Sequence, residues 1–188
     1  MKACKIHAID NTLYDDESAN WWSENGIGAM LRHISSPWRL PYFRRVLERQ
    51  SENLPGRRLL DVGCGGGILA EDFAGMGFQV TGLDPSRRQL DVAREHAADN
   101  GLHIDYQKGH GHKLPFGDQA FDIVACCDTL EHIDNWDAVI GEIARVLKNR
   151  GLFLFDTINR TVMSKIFLIK MAQQLNDSSP HHGPRSGS

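Results

Sequence analysis

Leu59-Leu60-Asp61-Val62-Gly63-Cys64-Gly65-Gly66-Gly67-Ile68 is the stretch on which the fold of this chain turns. Leu59, Leu60 and Val62 read as a buried strand, and a helical pattern opens at Ile68. Glycines between a strand and a helix permit a tight turn and let backbone N–H groups approach a ligand closely. That much is common to all nucleotide-binding α/β folds; the spacing selects further. A dinucleotide G-x-G-x-x-G motif beginning at Gly63 needs glycine at position 68, where Ile68 stands. The observed pattern is D-x-G-x-G-x-G, with Asp61 two residues before the first glycine. A carboxylate there repels a pyrophosphate and attracts a cofactor that carries an amino group and a sulfonium. Asp61, Gly63, Gly65 and Gly67 are therefore expected to cradle S-adenosylmethionine rather than NAD.

On either side of this loop, short apolar runs alternate with helical patterns, as βαβ units and a parallel sheet require. Strands are predicted at Arg58–Val62, Gln79–Leu83, His103–Gln107, Asp122–Cys126 and Leu152–Asp156. Several are apolar on consecutive residues, which suits strands covered by helices on both faces. Helices are predicted at Ile68–Met76, Arg87–Asn100 and Trp136–Lys148. In the last, Val139, Ile140, Ile143, Val146 and Leu147 share one face. Asp84 ends the second strand, where a carboxylate can accept both ribose hydroxyls of an adenosyl cofactor. Asp84-Pro85-Ser86 also makes a helix start, but in register with the glycine loop the ribose role is favoured.

The organisation expected is an N-terminal helical extension over residues 1–53, a Rossmann-like core over 54–175 and a tail without fixed structure over 176–188. The extension reads as helices broken near Ser35-Ser36-Pro37 and at Pro41. Its Trp21, Trp22 and Trp38 suit packing of a helix against the sheet, or the wall of a pocket for an aromatic substrate. Val162–Leu175 is an apolar helix placed to cover a site or to rest on a membrane surface.

A hydrophobic fraction of 41% and a charged fraction of 24% place the chain among ordinary globular domains. The net charge of −3 supplies no field for nucleic acid or an anionic membrane. Nucleic-acid methylation is further opposed, because there is neither an N/D-P-P-Y/F/W tetrapeptide nor a basic stripe. Cys4, Cys64, Cys126 and Cys127 form no zinc spacing and read as reduced thiols of a cytoplasmic protein. His110 and His112, parted by a glycine and with no third ligand nearby in sequence, read as loop surface rather than a metal pair.

Leu60–Glu71, Thr81-Gly82-Leu83-Asp84 and Thr129-Leu130-Glu131-His132-Ile133 resemble class I methyltransferases of the ubiquinone-biosynthesis O-methyltransferase type. Trp21-Trp22, the stretch Ile34–Tyr42 and Asn159-Arg160 share the likeness, which runs from about Tyr14 to Leu175. The resemblance implies a central, mostly parallel sheet with helices on both faces. It also implies methyl transfer to a polyprenyl-substituted phenol or quinol. It places cofactor contacts at Arg39, Gly63, Asp84 and Cys127, and a magnesium-type site at Asp128, Glu131 and His132. The family usually has glutamate where Asp128 stands, so that ligand is one methylene shorter. Such enzymes normally add an antiparallel strand pair after strand five, and these C-terminal strands are missing from the sequence pattern. Two carboxylates and an imidazole at the end of strand four could hold Mg²⁺ against catechol oxygens. Imidazole is an unusual magnesium ligand, so His132, with Glu131 beside it, could instead act as the base that ionises a hydroxyl. Transfer to another small acceptor, and cofactor binding without catalysis, are the competing readings.

Overall fold

In the computed structural model the residues described are 21–25, 27–50, 54–133 and 135–156. The expected Val162–Leu175 helix, Asn159-Arg160, Cys4 and the tail lie outside them.

Five strands pair in parallel in the order β3-β2-β1-β4-β5. They are β1 (Arg58–Val62), β2 (Gln79–Asp84), β3 (Asp105–Lys108), β4 (Phe121–Cys127) and β5 (Leu147–Asp156). The chain order reverses direction between β1 and β4, and ligands of open α/β sheets bind beyond the carboxyl ends of the strands at such a reversal.

Alternation along the strands feeds two cores. Leu59, Val80, Ile123 and Ala125 face one side, where they meet helices α2 (Ser36–Gln50), α3 (Ile68–Gly75) and α4 (Arg87–Asp99) through Phe43, Leu47, Phe73, Leu90 and Ala93. Leu60, Val62, Val124 and Cys126 face the other, against Val139, Ile143 and Val146 of α5 (Trp136–Val146). Both faces are covered, which is why these strands are apolar on consecutive residues. Ser86 and Asn135 cap α4 and α5 by accepting the N–H groups of Gln89 and Ala138.

Three expectations are corrected. Pro41 does not break the N-terminal helix: α2 runs through it, and the irregularity lies earlier, where α1 (Ile27–Met30) passes into a π-helical stretch, Leu31–Ser35. Proline removes the donor to the carbonyl four residues back, here Pro37, and both prolines are exposed, so water can satisfy it. Strand β5 starts at Leu147 rather than Leu152, because the chain leaves α5 directly into extended backbone. It then bulges against β4 between Phe121 and Ile123, with Arg150 at φ +63°. Trp38 is 81% exposed; among the described residues it is not part of the core and does not line the cavity at the carboxyl ends of β1 and β2.

Candidate active site

The carboxyl ends of β1 and β2 form one wall of a cavity of about 630 Å³. Gly63, Gly65 and Gly67 adopt φ of +78°, +51° and +87°, a region costly for other residues. The turn is pinned from below, as the N–H groups of Gly63 and Cys64 both donate to the carbonyl of Leu83, at 2.7 and 3.1 Å. No side chain fits at Gly63, where a Cβ would lie 2.4 Å from Thr129 Oγ1.

Asp84 is buried at the end of β2. Its Oδ2 accepts the Gly65 N–H at 3.0 Å and its Oδ1 accepts the Ser86 N–H at 2.9 Å. The carboxylate is therefore oriented by the backbone at the end of β2. Asp61, at the end of β1, is 2% exposed, and its Oδ2 has no hydrogen-bond partner among the described residues. Burial pushes its pKa up to about 7, Arg39 pulls it back and Asp84 pushes it further up.

The cavity brings together Gly63, Gly65, Asp84, Asp128 and His132. Arg39, Asp61, Gly67 and Cys127 are not among its lining residues. Arg39 reaches from α2 to pair with Asp128 Oδ2 through a terminal nitrogen and with Asp156 Oδ2 through Nε, each at 2.5 Å. Burial works against the guanidinium charge, but Asp128 and then Asp156 outweigh it and hold its pKa above the usual value. Asp128 sits at φ +50° and its N–H donates to Asp156 Oδ1 at 3.1 Å, so the ends of β4 and β5 are tied by the same group. Cys127 is buried in the apolar core, which pushes its thiol pKa up. Glu131 and His132 belong to a 3₁₀ turn, Leu130–His132, that follows β4; the side chain of Glu131 lies outside the described residues. Among the described residues no group of three or more His, Cys, Asp or Glu is disposed to hold a metal ion.

The structure adds residues that the sequence reading assigned elsewhere. His110 and His112, expected on the loop surface, are exposed but stand at the cavity wall with ring centroids 5.3 Å apart. Their loop is held by α5, where Glu142 accepts the Leu114 N–H and Arg145 donates to the carbonyls of Leu114 and Phe116. Gln89 also lines the cavity; a buried polar residue on the apolar face of α4, beside Leu90 and Ala93, was the signal available in the sequence. Trp21 lies against the glycine loop and lines the cavity. Trp22 fastens the same segment, donating from Nε1 to the Gly66 carbonyl at 2.9 Å and stacking on His96 at 3.4 Å, which in turn contacts Glu71 at 2.8 Å.

A parallel sheet of this order, with a glycine turn after β1 and an acid at the end of β2, defines a class I methyltransferase fold, and the methyltransferase domain family matches residues 60–155. A ubiquinone biosynthesis O-methyltransferase of Vibrio atlanticus is 40% identical over 178 residues, covering 93% of this chain and 72% of that protein. The chain belongs to this family of S-adenosylmethionine-dependent methyltransferases. Among solved structures, the [4+2]-cyclase SpnF is similar with a TM-score of 0.53 and 34% identity over 59% of this chain and 42% of its own. The Haemonchus contortus phosphoethanolamine N-methyltransferase 2, in complex with S-adenosyl-L-methionine, shares the fold with a TM-score of 0.57 and 24% identity, over 72% of this chain and 36% of its own.

The residues present fit that cofactor. Asp61 supplies a buried acid with one oxygen not hydrogen-bonded among the described residues, the glycine turn brings bare backbone to the cavity, and Asp84 presents a backbone-oriented carboxylate at the end of β2.

Proposed function

We propose that this chain methylates a hydroxyl of a phenolic or catecholic quinone precursor, with His132 as the base that removes the hydroxyl proton. The observation that carries the reading is that one cavity is lined both by Asp84, the ribose-type acid, and by His132 at the end of β4. The name of the Vibrio relative supports the ubiquinone-type acceptor.

The bound cofactor supplies a methyl group on a positively charged leaving group. This chain's residues bind, orient and deprotonate. Asp84 and the turn of Gly63, Gly65 and Gly67 hold the adenosyl end, and Asp61 fixes the amino end. Arg39 contributes by holding Asp128 at the cavity, and Cys127 by ending β4 beside it. Holding donor and acceptor in line is worth about 7–11 kcal/mol of barrier. A phenol ionises near pH 10, so a base within reach contributes a further factor of about 10²–10⁴. Glu131 follows Leu130 in the same turn and stands beside His132 in sequence. A magnesium ion at Asp128, Glu131 and His132 is the second route to the same ionisation, and it must compete with Arg39 for Asp128.

Changing His132→Gln separates the two routes. The base reading expects kcat to fall by about 10²-fold or more, with affinity for S-adenosylhomocysteine unchanged and no response to EDTA. Full activity in that variant would overturn the base assignment, and loss of wild-type activity on chelation would replace it with the metal.

The 630 Å³ cavity suits a cofactor and a small acceptor. The membrane contact expected of residues 162–175 is a separate proposal, resting on their apolar pattern alone. Among the described residues no helix is long and apolar enough to cross a membrane.

A further inference from the structure

Trp21 is 9% exposed and packs face-on against the backbone of the glycine turn. A Cβ on Gly66 would lie 2.4 Å from Trp21 Cγ, and one on Gly65 would lie 3.0 Å from Cη2 at the far edge of the ring. The indole therefore spans both residues. Its Nε1 is buried and has no hydrogen-bond partner among the described residues. Two further buried polar atoms at this turn lack a hydrogen-bond partner among the described residues: the Tyr106 hydroxyl, which lies against Gly67, and Asp61 Oδ2, two positions before Gly63. Of the three, Trp21 Nε1 can only donate and an ionised Asp61 can only accept.

Native proteins seldom leave such groups unmatched, because each costs roughly 1–3 kcal/mol. The two do not satisfy one another, although both flank Gly63–Gly67. A ligand that satisfies both must carry a hydrogen-bond acceptor and a cationic donor on one short frame, as the carboxylate and ammonium of an α-amino acid do. We propose that Trp21 is a cofactor-binding residue whose Nε1–H donates to the carboxylate of the cofactor's amino-acid end, while Asp61 takes its ammonium. The proposal rests on the assignment of S-adenosylmethionine to this cavity and names the residue that reads one end of it.

Neither atom is open to solvent in this arrangement, so the indole shifts on the turn as the ligand enters. The segment is held by contacts that leave the Trp21 ring itself without a hydrogen bond. Arg32 donates to the carbonyls of Trp21 and Ser23, and Trp22 Nε1 donates to Gly66.

The test compares two ligands on two proteins by calorimetry. S-adenosylhomocysteine carries both groups; its decarboxylated analogue keeps the amine and lacks the carboxylate. Trp21→Phe keeps a ring over Gly66 but removes the N–H donor together with the indole edge against Gly65, so the analogue lacking the carboxylate serves as the control for lost packing. The proposal expects this variant to bind S-adenosylhomocysteine about tenfold more weakly than the wild type does, and to bind the decarboxylated analogue equally well. Unchanged binding of the analogue shows at once that the variant is folded. An equal loss for both ligands, or no loss for either, overturns the proposal while leaving the cofactor assignment in place. Failure of the wild type to bind S-adenosylhomocysteine overturns both.

Discussion

Asp61 is a buried carboxylate held beside a second one, Asp84, with Arg39 as the nearest counter-charge. Its pKa near 7 stands well above the roughly 3.9 of an unfolded aspartate. An acid raised in this way makes the folded state bind the extra proton, so it weakens the fold as pH climbs from about 4 to about 7. Removing it has two opposite effects. Asp61→Asn is expected to raise the Tm of the ligand-free protein, by an amount that grows up to about pH 7 and then levels off, and to weaken cofactor binding at least tenfold. Thermal melts across pH, paired with calorimetry, read both, and a Tm difference independent of pH would contradict the buried-acid reading. In the wild type the cofactor's ammonium favours ionised Asp61, so affinity should rise between about pH 6 and about pH 7.5. Asp84 is oriented by two backbone N–H groups. Asp84→Ala should abolish most S-adenosylhomocysteine affinity; unchanged affinity would undo the ribose assignment.

At the scale of elements, α2 is attached to the sheet by Arg39 as well as by Phe43 and Leu47. Breaking a fully buried ion pair costs about 3–5 kcal/mol; Asp128 and Asp156 are 25% and 36% exposed, which reduces the penalty. Arg39→Ala should thus lose about 2 kcal/mol in urea unfolding with an unchanged m value. It should also free Asp128 from the position in which Arg39 holds it at the cavity. Gly67 tests the turn itself. At φ +87°, with a Cβ destined to lie 2.3 Å from the Tyr106 hydroxyl, Gly67→Ala should cost about 2 kcal/mol or more. An alanine variant as stable as the wild type would show that the turn is built otherwise. Local pattern made these elements readable: β1 spans Arg58–Val62 as expected, and α3 and α4 each end one residue early. Where long-range packing decides, pattern failed. Nothing near Pro41 announces that its helix continues, and nothing near Leu147 announces that the strand begins there.

Over the whole molecule, the glycine turn, Asp84, Asp128 and His132 were legible because each sits at a strand end whose position the topology dictates. Trp21 was read as a packing or pocket residue without being placed on the glycine turn, and His110 and His112 were read as loop surface, because no local pattern says which wall a segment joins. The same fold serves a [4+2]-cyclase, so the sheet alone does not determine the reaction. The reaction is set by whether acceptor and cofactor meet in the cavity at the β1/β4 reversal. The most direct measurement is mass spectrometry of a panel of catechols and phenols incubated with this chain and S-adenosylmethionine bearing a deuterated methyl group. The deuterated methyl should appear on a hydroxyl oxygen of at least one catechol, at a rate that falls about 10²-fold in His132→Gln. Cofactor binding with no labelled product from any acceptor would contradict the assignment of this cavity to O-methylation.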